Sequence, residues 1–148
     1  MPLKTVVKVG GITSLSEARY CAGMGVDLLG FGAINGKANY LSPAQFQEIR
    51  GWIAGPKIVA EIYGIENQGQ LEAILTDYKP DYLEMGIAEL NVLGDLPLPF
   101  LLSIPAGSSL PPLREQPSYL LLKELTTDPY PLSCLLEVHS YEEVERAS

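Results

Sequence analysis

Apolar residues along this chain switch repeatedly between the short β-branched runs of strands and the three- and four-residue spacing of helices. Residues 5–11 (TVVKVGG) are β-branched and end in two glycines, which predicts a first strand. Ser14-Leu15-Ser16-Glu17 then opens a helix, with Ser14 placed to cap it and Glu17 three residues on, as in a capping box. Leu15, Ala18, Cys21 and Ala22 recur at helical spacing as its buried stripe, and Gly23 and Gly25 mark its end. Residues 27–33 (DLLGFGA) predict a second strand, and the loop at 34–41 carries an Asn35-Gly36 turn signal. Ser42-Pro43 starts a second helix, with serine as cap and proline at the first helical position. Phe46, Ile49, Trp52 and Ile53 form its apolar face, which predicts helix-to-barrel packing for Phe46 and Trp52. A third strand at 57–64 (KIVAEIYG), a third helix at 68–78 and a fourth strand at 81–87 (DYLEMGI) follow.

Beyond this point the repeat shortens. Strands are predicted at 99–104, 118–124 and 134–140, and the connectors at 105–117 and 126–131 are rich in proline, which leaves room for short helical turns at most. Residues 141–148 begin a last helix. Strands separated by crossovers are expected to be parallel. Right-handed crossovers in sequence order make either a doubly wound sheet or a barrel. No Rossmann or phosphate-loop fingerprint follows the first strand. The expected fold is therefore α/β, a single (β/α)8 TIM-barrel-like domain over residues 1–148, shortened or incomplete at the C-terminal end. Without an eighth strand, the first and seventh would carry unpaired edges. Fewer strands could close the barrel, a partner chain could cover the gap, or the natural protein could be longer. A covered edge or a homodimer is the expectation.

Composition narrows the function classes. No run of about 18 apolar residues is present, so no membrane-spanning helix is expected. The N-terminus lacks the apolar core of a signal peptide. Two cysteines, Cys21 and Cys134, are too few for a disulfide scaffold and read as reduced thiols of a cytoplasmic protein. A net charge of −8 speaks against nucleic acid as a partner, because phosphate-backbone binding needs a basic stripe. A small phosphorylated or anionic metabolite stays admissible, since a few amides can hold one. No cysteine and histidine pattern has metal-ligand spacing, so neither a metal nor a cofactor is expected.

Three short motifs carry a more specific signal. Lys8-Val9-Gly10-Gly11-Ile12-Thr13 resembles the K-[IV]-C-G-[IL]-T motif that opens the phosphoribosylanthranilate isomerases, barrel enzymes of tryptophan biosynthesis. Gly25 to Phe31 (GVDLLGF) is similar to that family's G-A-D-x-[LI]-G-F, and Asn39-Tyr40-Leu41-Ser42-Pro43 to its R-Y-V-S-P. The resemblance covers roughly residues 4–64 and is architectural afterwards. It implies an Amadori rearrangement of an N-phosphoribosyl anthranilate, which needs a general acid to open the ribose ring and a general base to take a proton from the adjacent carbon. The departures fall on that chemistry. The resemblance implies that the base is the cysteine of the first motif, and that position is Gly10. The implied acid, an aspartate ending the sixth strand, is replaced by Lys123, and the arginine of the third motif by Asn39. The phosphate-holding Gly-Gly of the seventh strand is matched by Glu137-Val138-His139, and the phosphate loop of the eighth has no counterpart. Removing an acid or a base typically lowers the rate by about 10²–10⁴-fold each.

Strand alternation suggests what stands there instead. Lys8 shares a face with Gly10, Glu61 with Val59 and Tyr63, Glu84 with Tyr82, and Glu137 with His139. Lys8, Glu61, Glu84, Glu137 and Lys123 are expected to converge on the strand ends, where such barrels keep their sites. One reading is a remodelled polar site: Lys123, Glu137 and His139 are catalytic candidates, and Lys8, Gly10, Gly11, Asn39, Glu61 and Glu84 are binding candidates. The other is a compensated ion network filling the interior, since buried charges must be paired. An active enzyme would hold these side chains unpaired in an open cavity. A catalytically degenerate relative, kept for small-molecule binding or interaction, would hold them salt-bridged.

Overall fold

The computed structural model describes residues 6–105, 117–123 and 132–137. In chain order the elements are β1 (Lys8–Val9), α1 (Leu15–Gly23), β2 (Leu28–Gly32), α2 (Pro43–Arg50), β3 (Lys57–Glu61), α3 (Gln68–Tyr78), β4 (Tyr82–Gly86), α4 (Ile87–Val92), β5 (Phe100–Pro105), β6 (Tyr119–Lys123) and β7 (Leu132–Glu137). The strands form a closed barrel in sequence order. Neighbours from β1 to β6 run parallel, as the crossover pattern predicts. The short helix α4 is absent from the sequence-based expectation, because one and a half turns leave too little periodicity to detect.

The seventh strand departs from expectation. β7 is antiparallel to both β6 and β1 and starts two residues earlier than predicted. Chain length explains the direction. Only residues 124–131 separate β6 from β7, whereas a parallel crossover needs about a dozen or more. The strand must therefore return rather than cross over, and in returning it bonds to β1 through the pairs Lys8↔Ser133 and Val9↔Leu132. Of the three expected outcomes for the exposed edges, closure with fewer strands is the one observed, so the first strand needs no second chain to cover it.

Local signals set the helices. Ser14 accepts a hydrogen bond from the Glu17 backbone amide, and the Glu17 carboxylate accepts from the Ser14 hydroxyl and from both the amide and the hydroxyl of Thr13. Ser42 and Gln45 form a reciprocal capping box ahead of Pro43, and Asn67 caps α3. The main core lies between helices and barrel. Phe46 on α2 packs edge-on against Phe31 at 5.0 Å and beside Tyr78 of α3 at 5.1 Å. Arg50 donates to the Lys79 carbonyl at 2.8 Å and to that of Tyr78, tying the end of α2 to the end of α3. Trp52 does not join this core. The helix stops at Arg50, and of the two predicted stripe residues beyond it Trp52 is 66% exposed while Ile53 still packs against the core. Cys21 is half-buried against the core edge.

Inside the barrel, Leu28, Val59 and Leu101 make a separate apolar plug with Val6 and Tyr82 against it. One step of strand alternation beyond that plug, the inward positions become polar or empty: Gly30 on β2, Glu61 on β3, Glu84 on β4 and Ser103 on β5. Phe46→Ala should lower stability by about 3–5 kcal/mol, while Trp52→Ser should stay within about 0.5 kcal/mol of the parent in urea unfolding. Equal losses in the two variants would mean that the apolar face of α2 is wrongly assigned.

Candidate functional site

Lys8 extends from β1 into the barrel, where its side chain is 4% exposed. An ammonium in such a place requires carboxylates close by. Its Nζ lies 3.0 Å from Glu61 Oε2 and in closer contact with Glu84 Oε1. Glu61 also accepts from the Gly11 backbone amide at 3.2 and 3.3 Å, and beyond that amide the chain turns away at a positive φ (65°) that glycine takes without strain. The Tyr63 hydroxyl donates to Glu84 Oε2 at 2.5 Å, and Ser103 hydrogen-bonds to the same phenol. Together these groups form one connected polar network among β1, β3, β4, β5 and the turns that follow them.

Burial alone would lower the Lys8 pKa. The adjoining Glu84 and then Glu61 carboxylates outweigh it and hold the ammonium above its ordinary range, so it is charged and is no nucleophile near neutral pH. Burial, reinforced by Glu84, drives the Tyr63 phenol far above its usual pKa and keeps it a hydrogen-bond donor.

Two glycines make room for the ion cluster. A Cβ at Gly10 would collide with Glu61 Oε2 and stand 2.6 Å from Lys8 Nζ. A Cβ at Gly30 would collide with the same oxygen and stand 3.0 Å from Lys8 Cε. The charged head groups occupy the space that side chains at those positions would fill. Above them, at the C-terminal ends of the strands, opens a cavity of about 200 Å³. Gly10, Gly11, Asn39 and Lys37 line its walls and rim, and Glu61, Glu84 and Lys8 its base. A larger cavity of about 390 Å³ at the opposite end, by Val6, Asp27 and Tyr82, has no comparable ion cluster beneath it among the described residues.

The binding candidates Lys8, Gly10, Gly11, Asn39, Glu61 and Glu84 thus surround one space. Of the catalytic candidates, only Glu137 is placed away from that space. Lys123 ends β6 opposite Pro105, at the mouth end of the strand. Glu137 pairs with Tyr119 at the start of β6, at the far end from the mouth, because β7 runs backwards. His139 lies outside the described residues. Lys37, Gly30 and Ser103 were not singled out from the sequence. The signals available were faint: a lysine after an Asn-Gly turn, a glycine inside a strand, and a lone polar residue in FLLSI. Among the described residues no group of His, Cys, Asp and Glu is arranged to hold a metal ion, and no helix is long and apolar enough to cross a membrane.

No family model matches this sequence, and no curated protein does. Solved structures do match. Phosphoribosyl anthranilate isomerase from Thermotoga maritima aligns over 70% of this chain and 52% of its own, at 18% identity and a TM-score of 0.57. The enzyme from Thermus thermophilus aligns over 72% and 55% respectively, at 16% identity and a TM-score of 0.58. That from Pyrococcus furiosus aligns over 73% and 55%, at 13% identity and a TM-score of 0.54. The fold is that of the phosphoribosylanthranilate isomerases. At these identities the likeness is one of fold, and the chain spans about half the length of the enzymes it matches. One further structure of the Thermotoga maritima protein is of monomers derived from a dimeric enzyme.

Removing one member of the buried cluster should be severe. Lys8→Met leaves two carboxylates facing each other and should lose about 3–5 kcal/mol in urea unfolding near neutral pH. Gly30→Ala should lose about 1–3 kcal/mol by forcing the Glu61 carboxylate aside. A loss under about 0.5 kcal/mol in both would show that the cluster carries no stability. The Lys8 contribution also has a pH signature. Its pKa is raised on folding, so the stability it adds is fully present below the unfolded value of about 10.4 and disappears as pH rises through the higher folded value. The stability gap between parent and Lys8→Met should therefore narrow in the alkaline range above that value, and a gap that widened there would contradict the pairing.

Proposed function

We propose that this chain is a phosphoribosylanthranilate isomerase-like barrel that no longer performs the Amadori rearrangement and serves as a small-molecule-binding or interaction protein. The observation that carries the reading is the occupancy of the Gly10 position. The resemblance puts the proton-abstracting cysteine there, and the Glu61 carboxylate and Lys8 ammonium fill the space its side chain would need. Cavity size supports the same reading: about 200 Å³ falls below the roughly 300–1,000 Å³ of pockets that enclose drug-sized ligands. The polar groups at the base are already paired with one another, which suits a stable interior better than a poised acid and base. A cytoplasmic setting accords with the free thiol of Cys21.

The alternative is an active isomerase with replacement groups, and one observation favours it: Lys123 ends β6 at the mouth end, where the resemblance implies the general acid. The deciding experiment follows anthranilate fluorescence with freshly prepared phosphoribosyl anthranilate as substrate. The expected outcome is no turnover above background for either the parent or Lys123→Ala. Turnover by the parent would overturn the proposal, and its loss in Lys123→Ala would make that lysine the replacement acid.

A further inference from the structure

The charges around the mouth cavity are unevenly distributed. Its base holds two carboxylates, Glu61 and Glu84, against the single ammonium of Lys8, a net charge of −1 in a setting almost closed to water. Its rim holds Lys37, an exposed lysine with no ion pair among the described residues. The Lys37 side chain lies across Gly64, three residues beyond β3, with Nζ 3.1 Å from where a Cβ on that glycine would stand, and Lys37 lines the mouth cavity. A negative floor beneath a positive lip is complementary to a molecule with separated opposite charges.

Acceptor capacity is also present. Glu61 is the partly open carboxylate of the pair, at 14% exposure, and it accepts from Lys8 and from the one amide of Gly11. A carboxylate offers about four lone-pair sites, so one more donor can be accommodated. An incoming ammonium would complete the neutralisation of the floor, and a carboxylate on the same molecule would meet Lys37. A space of about 200 Å³ corresponds to roughly six or seven waters at ~30 Å³ each, which suits a molecule of a few heavy atoms.

We infer that the barrel mouth binds a small zwitterionic amino acid, with its ammonium on Glu61 above the Lys8–Glu84 pair and its carboxylate at Lys37. This rests on the proposed function, because it gives the small-molecule site of a non-isomerising barrel its ligand class. A simple amine would leave Lys37 unmatched, and a simple anion would face two carboxylates at the floor.

The test is a titration of the isotope-labelled full chain, reading the amide resonances of Gly10, Gly11 and Gly32, with glycine, L-alanine, ethylamine and acetate as probes. Saturable shifts with glycine and L-alanine are expected, with ethylamine and acetate weaker by roughly tenfold or more, the scale of one lost charge-assisted hydrogen bond. Lys37→Met, an exposed substitution, should bring L-alanine down to the affinity of ethylamine. Ethylamine or acetate binding as tightly as L-alanine would overturn the inference, as would an unchanged L-alanine affinity in Lys37→Met or no shift with any probe. The isomerase assay separates the two proposals: turnover there would defeat the proposed function, whereas a silent titration without turnover defeats only this ligand class.

Discussion

An ionised side chain inside a barrel has no water to turn to, and Lys8 determines its surroundings for that reason. One lysine in the second inward layer calls for carboxylates within contact distance, and Glu61 and Glu84 come from the next strands able to reach it. Two carboxylates against one ammonium then need further donors, which the Gly11 amide and the Tyr63 hydroxyl supply. The whole group takes volume, so Gly10 and Gly30 must lack side chains. β1, β3, β4 and β5 are thereby tied to one another through polar contacts, across the gap that Gly30 leaves on β2, at a level where a barrel of this type ordinarily packs branched apolar residues.

The second constraint is chain length. Six parallel strands leave an open seam, and the connection after the sixth is too short to lay down another crossover. A returning strand closes the seam from the wrong direction, which inverts the meaning of its residues. In a parallel seventh strand Glu137 would rise to the mouth; in β7 it sits beside the beginning of β6. One reversal of direction thus removes a residue from the site without altering its inward or outward pattern.

This contrast marks what can be read along a chain and what cannot. Ser14, Ser42 and the third helix were legible because a cap and its partner lie three residues apart, and the interaction is complete within the window that periodicity samples. The shared face of Lys8 and Gly10, and the placement of Glu61 and Glu84, were legible because alternation in a strand is strict. The direction of β7 was missed because alternation is the same for parallel and antiparallel strands; its signal lay instead in the short connector after β6. Trp52 was misread because an apolar residue in register with a helical stripe does not show where the helix stops. Lys37 and Gly30 escaped notice because their roles depend on neighbours from other elements.

The ion cluster also constrains position 10. A carboxylate and an ammonium stand where a side chain on Gly10 would go, held by each other, by Glu84 and by the Gly11 amide. Restoring a side chain there would displace Glu61 from Lys8 and from the Gly11 amide together, leaving a buried charge short of partners. The ion cluster as it stands therefore has no room for a side chain at position 10, and placing one there requires moving the Glu61 and Lys8 head groups in the interior of the barrel.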